Sequence, residues 1–211
     1  MLVIHPARGK AESTFALPRL AKRRKSVKPM SITTRTGDSG ETGLLFSKRT
    51  RKDDPRIAAC GDVDELNAAI GLARAHLQET PAYARLETVQ RSLIALMGEL
   101  ATLPEDEARY SASKLDKLSE TDVRQLDAWI AEHEAGGMTF EGWALPGKTV
   151  ASAHLDMART VCRRAERSTV ALQPPDNNEA SRVVVFLNRL SDLLWLMARS
   201  VEQSPASSRL A

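Results

Sequence analysis

Apolar residues recur at helical spacing in five stretches of this chain, each bounded by prolines, glycines or a polar run. In "RIAACGDVDELNAAIGLARAHL", which follows Pro55, Val63, Leu66, Ile70 and Ala73 step by three or four residues and share one face. "YARLETVQRSLIALMGELATL" repeats the signal with Leu86, Val89, Leu93, Leu96, Met97 and Leu100 until Pro104 stops it. Residues 105–118 are polar and read as a surface loop. "SETDVRQLDAWIAEH" opens with Ser119 as a helix N-cap and Asp122 three residues on, a near capping box. Its stripe is Val123, Leu126, Trp129 and Ile130, and Gly136–Gly137 end it. "TVASAHLDMARTVCRRAERSTVAL" is a fourth helix, ended by Pro174–Pro175, and "SRVVVFLNRLSDLLWLMARSVEQ" is the last. Five helices with short connections predict an all-α bundle. No internal repeat is visible. Ahead of them, "SITTRTGDSGETGLLFSKRTRKDDPR" has no helical period. Gly37, Gly40 and Gly43 among Thr, Ser and Asp mark an ordered loop, with a short strand at Leu44–Phe46.

Composition agrees. Aromatic residues make up only 4% of the 211 positions, which favours helices over a sandwich or barrel, and the length suits one domain with a substantial core. Charge divides the chain. Residues 1–31 hold Arg8, Lys10, Arg19, Lys22, Arg23, Arg24, Lys25 and Lys28 against Glu12 alone, a net of +7 where the whole chain carries +3. The basic balance therefore belongs to the N-terminal segment and is no argument for a nucleic-acid-binding domain. We read 1–31 as a disordered basic extension, with organellar targeting left open, 32–201 as the bundle, and 202–211 as a flexible tail. The two cysteines, Cys60 and Cys162, and the four scattered histidines lack metal-ligand spacing. They fit a reducing, cytoplasmic setting, and no apolar run reaches the roughly 18–20 residues a membrane span needs.

"GWALPGKT", Gly142 to Thr149, fits the Walker A pattern at every position. A phosphate-binding loop of that kind joins a buried strand to a helix and wraps phosphates with backbone N–H groups. Here no strand-like run precedes it, Trp143 and Leu145 are bulky, and Pro146 has no N–H. The segment reads as a turn that opens a helix.

Three other constellations carry chemistry. In "ARTVCRRAERS", Arg159, Arg163, Glu166 and Arg167 fall on one helical face, with Arg164 about 100° away. Stacked guanidinium groups suit phosphate oxygens, although a solvated, salt-bridged face has the same pattern. In "TRTGDSGETG", glycines among hydroxyls and Asp38 suit a backbone anion nest, and Asp38 suits Mg²⁺; ordinary turns use the same residues. In "FLNRLSDLLWLMAR", Asn188, Ser191, Asp192 and Trp195 share a face, either as site residues or as ties within the bundle.

Together the stretches "TTRTGDSGETGLL", "RKDDPRIAACGDVDELNAAIG", "WALPG", "ASAHLDMARTVCRRAERS" and "LNRLSDLLW" resemble the PduO-type ATP:cob(I)alamin adenosyltransferases, from about Ile32 to Arg199. The resemblance implies a five-helix, ferritin-like bundle that assembles as a homotrimer with ATP between subunits. It implies transfer of the 5′-deoxyadenosyl group of ATP to cob(I)alamin, with Mg²⁺ held through the ATP phosphates and triphosphate released. By the same resemblance, Thr34, Arg35, Thr36, Gly37, Asp38, Gly40, Thr42, Gly43 and Lys52 bind the nucleotide from the loop. Arg163, Arg164, Glu166, Arg167 and Asn188 bind it from the helices. Asp64 and Arg159 pair across the subunit interface and, with Arg163, organise catalysis. Trp143 stands where the family has Phe and faces the corrin. The chain departs from the family there, at Lys148, and at Asp156, where a His is usual. The implied partners are a reductase and a B12-dependent enzyme, with no nucleic acid or membrane. The alternative in a different class is a non-catalytic ATP- or cobalamin-binding sensor or delivery module.

Overall fold

The computed structural model describes residues 33, 35–137, 142–173 and 181–203. Thr34 and the whole N-terminal extension, 1–31, lie outside the described residues, as do 204–211. From Arg35 onward the chain forms six helices and one small sheet among the described residues.

Strands β1 (Glu41–Gly43) and β2 (Arg49–Arg51) pair antiparallel, Thr42 opposite Thr50. The expected strand at Leu44–Phe46 is instead the hairpin tip, a 3₁₀ turn over Leu45–Ser47. Phe46 and Ser47 take left-handed φ values of 57° and 63°, which no strand tolerates. The tip is docked rather than loose. Leu45 N donates to Ala101 O at 3.1 Å, and the Arg109 guanidinium lies 4.3 Å from the Phe46 ring centre.

Helix α1 (Pro55–Ala75) begins with Asp54 as N-cap and proline in the first turn, both favoured there. The Asp54 carboxylate accepts from Arg56 N and from Thr50 Oγ1, each at 2.8 Å, and these bonds hold its pKa below the ordinary value. Helix α2 (Pro81–Leu100) ends against Arg56, whose Nη1 donates to Leu100 O and Thr102 O at 2.9 and 3.0 Å. Those are carbonyls the helix itself leaves unpaired.

The stretch read as a surface loop, 105–118, is partly wrong as a loop. It holds a 3₁₀ turn (Pro104–Asp106) and a short helix α3 (Glu107–Ser111). Tyr110 and Leu118 are buried there, and Tyr110 donates its hydroxyl to Asp116 O at 3.0 Å. Two isolated apolar anchors have no period, so the pattern cannot reveal them.

Helix α4 (Glu120–Ala135) has the capping box expected at Ser119 and Asp122, and Ser92 of α2 adds a bond to Asp122 at 2.7 Å. Helices α5 (Val150–Val170) and α6 (Arg182–Gln203) complete the bundle. The packing order is α2, α1, α5, α6, α4, so α5 lies between α1 and α6. Ala158, Cys162 and Ala165 are buried along α5, and their short side chains let both neighbours approach. Phe186, Leu187, Leu190 and Leu194 fill the space from α6. Truncating one of these leucines to Ala costs about 2–5 kcal/mol.

Candidate active site

The loop before β1 is folded by its own backbone. Arg35 O accepts from Asp38 N at 3.5 Å and Gly37 O from Gly40 N at 3.2 Å. Gly40 has φ 84°, a value glycine takes at no steric cost. Lys52 closes the loop: its N–H donates to Gly40 O at 2.9 Å, and its side chain crosses Gly37. A Cβ at Gly37 would sit 3.2 Å from Lys52 Nζ and from Glu41 O, so glycine lets the ammonium lie this close to the loop without displacement. Arg49 ties the loop from outside, donating to Thr36 O at 2.8 Å and Glu41 Oε2 at 3.2 Å. Nothing in the linear pattern singles out Arg49; its role arises from strand pairing that returns it to a residue 13 positions earlier.

Behind the hairpin lies a cleft of about 430 Å³ whose lining includes Thr42, Gly43, Ile57, Cys60 and Asp64. Asp64 is exposed and has no ion-pair partner among the described residues. Cys60 is half-buried, and desolvation raises its pKa. No residue of α5 lines this cleft.

The arginines of α5 divide into two groups. Arg164 turns to α1, where its Nε bonds Asp62 at 3.1 Å and its Nη2 pairs closely with Glu65. The Glu65 bond and both carboxylates raise its pKa. Ser168 adds a bond to Asp62 at 2.5 Å. Arg164 therefore links two helices, and its acidic partners were not read from the sequence. Arg163 and Arg167 are exposed with no ion-pair partner among the described residues, and the same holds for Lys52. Glu166 accepts from Asn188 Nδ2 at 3.1 Å. Asn188 Oδ1 accepts from Arg189 at 3.0 Å, and Arg189 bonds Asp127 at 3.0 Å. This chain of bonds runs from α4 through α6 to α5 and fixes Glu166 beside the free arginines. Arg159 lies one turn before Arg163, with its Nε 3.7 Å from Asp156 Oδ1.

The Walker-like segment behaves as the turn expected from its sequence. The sheet among the described residues is only the β1–β2 pair, so among them no parallel strand feeds a phosphate loop. Thr149 caps α5, accepting from Ser152 N at 3.0 Å, while Thr149 N donates to Ser152 Oγ at 3.1 Å. Thr149 N, an N–H group that a phosphate in such a loop would need, is thus used inside this box. Trp143 is fully exposed and Leu145 is 85% exposed, which is unusual for two large apolar side chains so close together.

The fold and these residues define a helical bundle with exposed cations, unpaired among the described residues, rather than a P-loop enzyme. The chain belongs to the cobalamin adenosyltransferase family, whose sequence profile it matches over residues 32–201. It is 42% identical over 180 residues to the Cobalamin adenosyltransferase of Cupriavidus metallidurans, covering 84% of this chain and 91% of that one. It is 39% identical over 176 residues to the Corrinoid adenosyltransferase of Bacillus subtilis, covering 82% and 86%. Among solved structures it is similar to a variant of the PduO-type ATP:corrinoid adenosyltransferase from Lactobacillus reuteri, complexed with cobalamin and ATP. That match has a TM-score of 0.71 at 33% identity over 82% of this chain and 91% of that one.

Proposed function

We propose that this protein transfers the 5′-deoxyadenosyl group of ATP to cob(I)alamin, forming adenosylcobalamin and inorganic triphosphate. The observation that carries the reading is the trio of unneutralised cations, Lys52, Arg163 and Arg167, in a chain of this family. Cations without internal partners are available to polyphosphate oxygens. The loop from Arg35 to Gly43 and Lys52 take the phosphates from one side; Arg163, Arg164, Glu166, Arg167 and Asn188 take the nucleotide from the other.

The two halves meet between subunits in this reading, because the hairpin cleft contains no α5 residue. In a homotrimer, Asp64 of one subunit would find its missing partner in Arg159 of the next. Trp143 would supply an apolar wall to the corrin. Mg²⁺ fits as a companion of ATP rather than a resident ion. Among the described residues no three His, Cys, Asp or Glu side chains converge on one point. The ion would be held by phosphate oxygens, with exposed Asp38 as a suitable carboxylate in the loop.

The cobalt of the corrinoid substrate is the nucleophile, so the chain need not provide one. Its electron pair forms the bond to C5′ of ATP as the C5′–O bond breaks and triphosphate departs with that bond's electrons. The protein holds C5′ and cobalt in line and stabilises the leaving charge with Lys52, Arg163 and Arg167. A reductase must supply the Co(I) substrate, and a B12-dependent enzyme takes the product.

An anaerobic assay with chemically reduced cob(I)alamin, ATP and Mg²⁺ tests the reading. Loss of the Co(I) absorbance with formation of a light-sensitive product is expected. No turnover with ATP still bound would contradict it and favour a sensing or delivery module.

A further inference from the structure

Between α5 and α6 lies a charged cluster that the nucleotide site does not itself use. Asp156 is 4% exposed and Arg199 2% exposed, the largest of the fully buried side chains. Arg199 Nη2 bonds Asp156 Oδ2 at 2.5 Å and lies 3.2 Å from Glu202 Oε1. A buried ion pair is expensive to desolvate and commonly adds little stability over apolar packing of the same size. Its second effect is on the neighbouring Arg159.

Arg199 shares one positive charge between two carboxylates, which leaves the Asp156–Arg199–Glu202 group one formal charge negative. Asp156 directs its second oxygen, Oδ1, to Arg159 Nε at 3.7 Å. That Nε is sealed from solvent and has no hydrogen-bond partner, while 28% of the Arg159 side chain stays exposed. The inner edge of the guanidinium therefore faces the buried carboxylate, and the exposed remainder is what a ligand or a neighbouring subunit reaches. Arg159 shares its helical face with Arg163 and Arg167, so its aim decides whether it joins that cationic face.

We propose that Asp156, clamped by the buried Arg199, is a positioning residue that aims Arg159 at the nucleotide site. This rests on the proposed part of Arg159 in adenosyl transfer. Asp156 touches neither substrate and acts through Arg159.

The test is a coupling experiment on the full chain, read as kcat/KM for adenosyl transfer and as melting temperature. Asp156→Asn keeps the side-chain size and removes the charge; we expect a fall of about tenfold or more in kcat/KM. Introduced into Arg159→Lys, the same substitution should cost less than about twofold further, because the group it acts through is already altered. Asp156→Asn alone also leaves Arg199 with only the Glu202 carboxylate, loses the buried 2.5 Å bond and should lower the melting temperature. In the triple variant Asp156→Asn, Arg199→Gln, Glu202→Gln all three charges of the cluster are gone, so melting temperature recovers while activity stays low. Three results would overturn the proposal: an Asp156→Asn enzyme within about twofold of wild type, a full repeat of its loss in the Arg159→Lys background, or activity returning together with melting temperature in the triple variant. Wild-type protein that turns over while these variants behave independently fails the positioning role alone. Wild-type protein that binds ATP and never turns over fails the parent reading, and the role of Arg159 with it.

Discussion

Arg163 and Trp143 sit in one chain but carry opposite halves of the proposed chemistry. Arg163 is an exposed cation with no ion-pair partner among the described residues, so the folded bundle does not depend on it. Arg163→Ala should change stability by less than about 0.5 kcal/mol, as surface substitutions usually do. It should cut kcat by about 100-fold or more, the usual cost of removing one donor from a site of developing charge. Trp143→Ala should leave ATP affinity within about twofold and depress the corrin-dependent step instead. ATP titration beside turnover separates the two, and equal loss of ATP affinity in both variants would place Trp143 in the wrong half. The sequence made the arginine face legible because helical spacing alone fixes which side chains are neighbours on one helix. The partners of Arg164 were not legible. Asp62 and Glu65 lie about a hundred positions away, and only the packing of α1 on α5 brings them into reach. Asp156 stood out in the sequence only as a departure from the family; its burial against Arg199 depends on how α5 and α6 are rotated against each other.

Individual elements were legible where a local rule defines them. Ser119 with Asp122 announces a helix start, whereas the box at Thr149 and Ser152 that opens α5 emerges only in the structure. The single short strand expected at Leu44–Phe46 was misplaced because "LLF" has strand propensity, while its conformation is decided by docking on α2 and Arg109. At the far end of α4, His133 shows an element-scale effect of a different kind. It borders a cavity of about 450 Å³ with Leu77 and Met197, and its Nδ1 lies 2.8 Å from Ser200 Oγ. Burial lowers its pKa, and the Arg85 charge acts in the same direction. The folded value thus lies below the unfolded one of about 6.5. Below that pH the unfolded chain binds more protons, so stability contributed here is present above about pH 6.5 and is lost as pH falls through the folded value. Melting temperature should decline between about pH 7 and pH 5, and His133→Gln should flatten that decline. An unchanged slope in the variant would assign the titration to another group.

Across the whole molecule, the five long helices, their order along the chain and the family were all within reach of the sequence. Periodicity fixes helices, and several short blocks in fixed order fix a family far better than one eight-residue pattern. GWALPGKT shows the difference: it satisfies a nucleotide-binding pattern in full, yet here it is a turn before a capped helix with an exposed tryptophan. What one chain cannot display is the closure of the site. The cleft behind the hairpin is lined by no residue of α5, the helix that carries Arg163 and Arg167. Assembly into a trimer is the proposed remedy, and Asp64 is the residue awaiting a partner.

In the proposed reaction ATP is cleaved at C5′ rather than at a phosphoanhydride. Phosphorus-31 NMR of an anaerobic reaction with cob(I)alamin, ATP and Mg²⁺ tests it most directly. One inorganic triphosphate per corrinoid adenosylated is the expected result. ADP and orthophosphate appearing instead would mean hydrolysis of the γ-phosphate and would contradict the account.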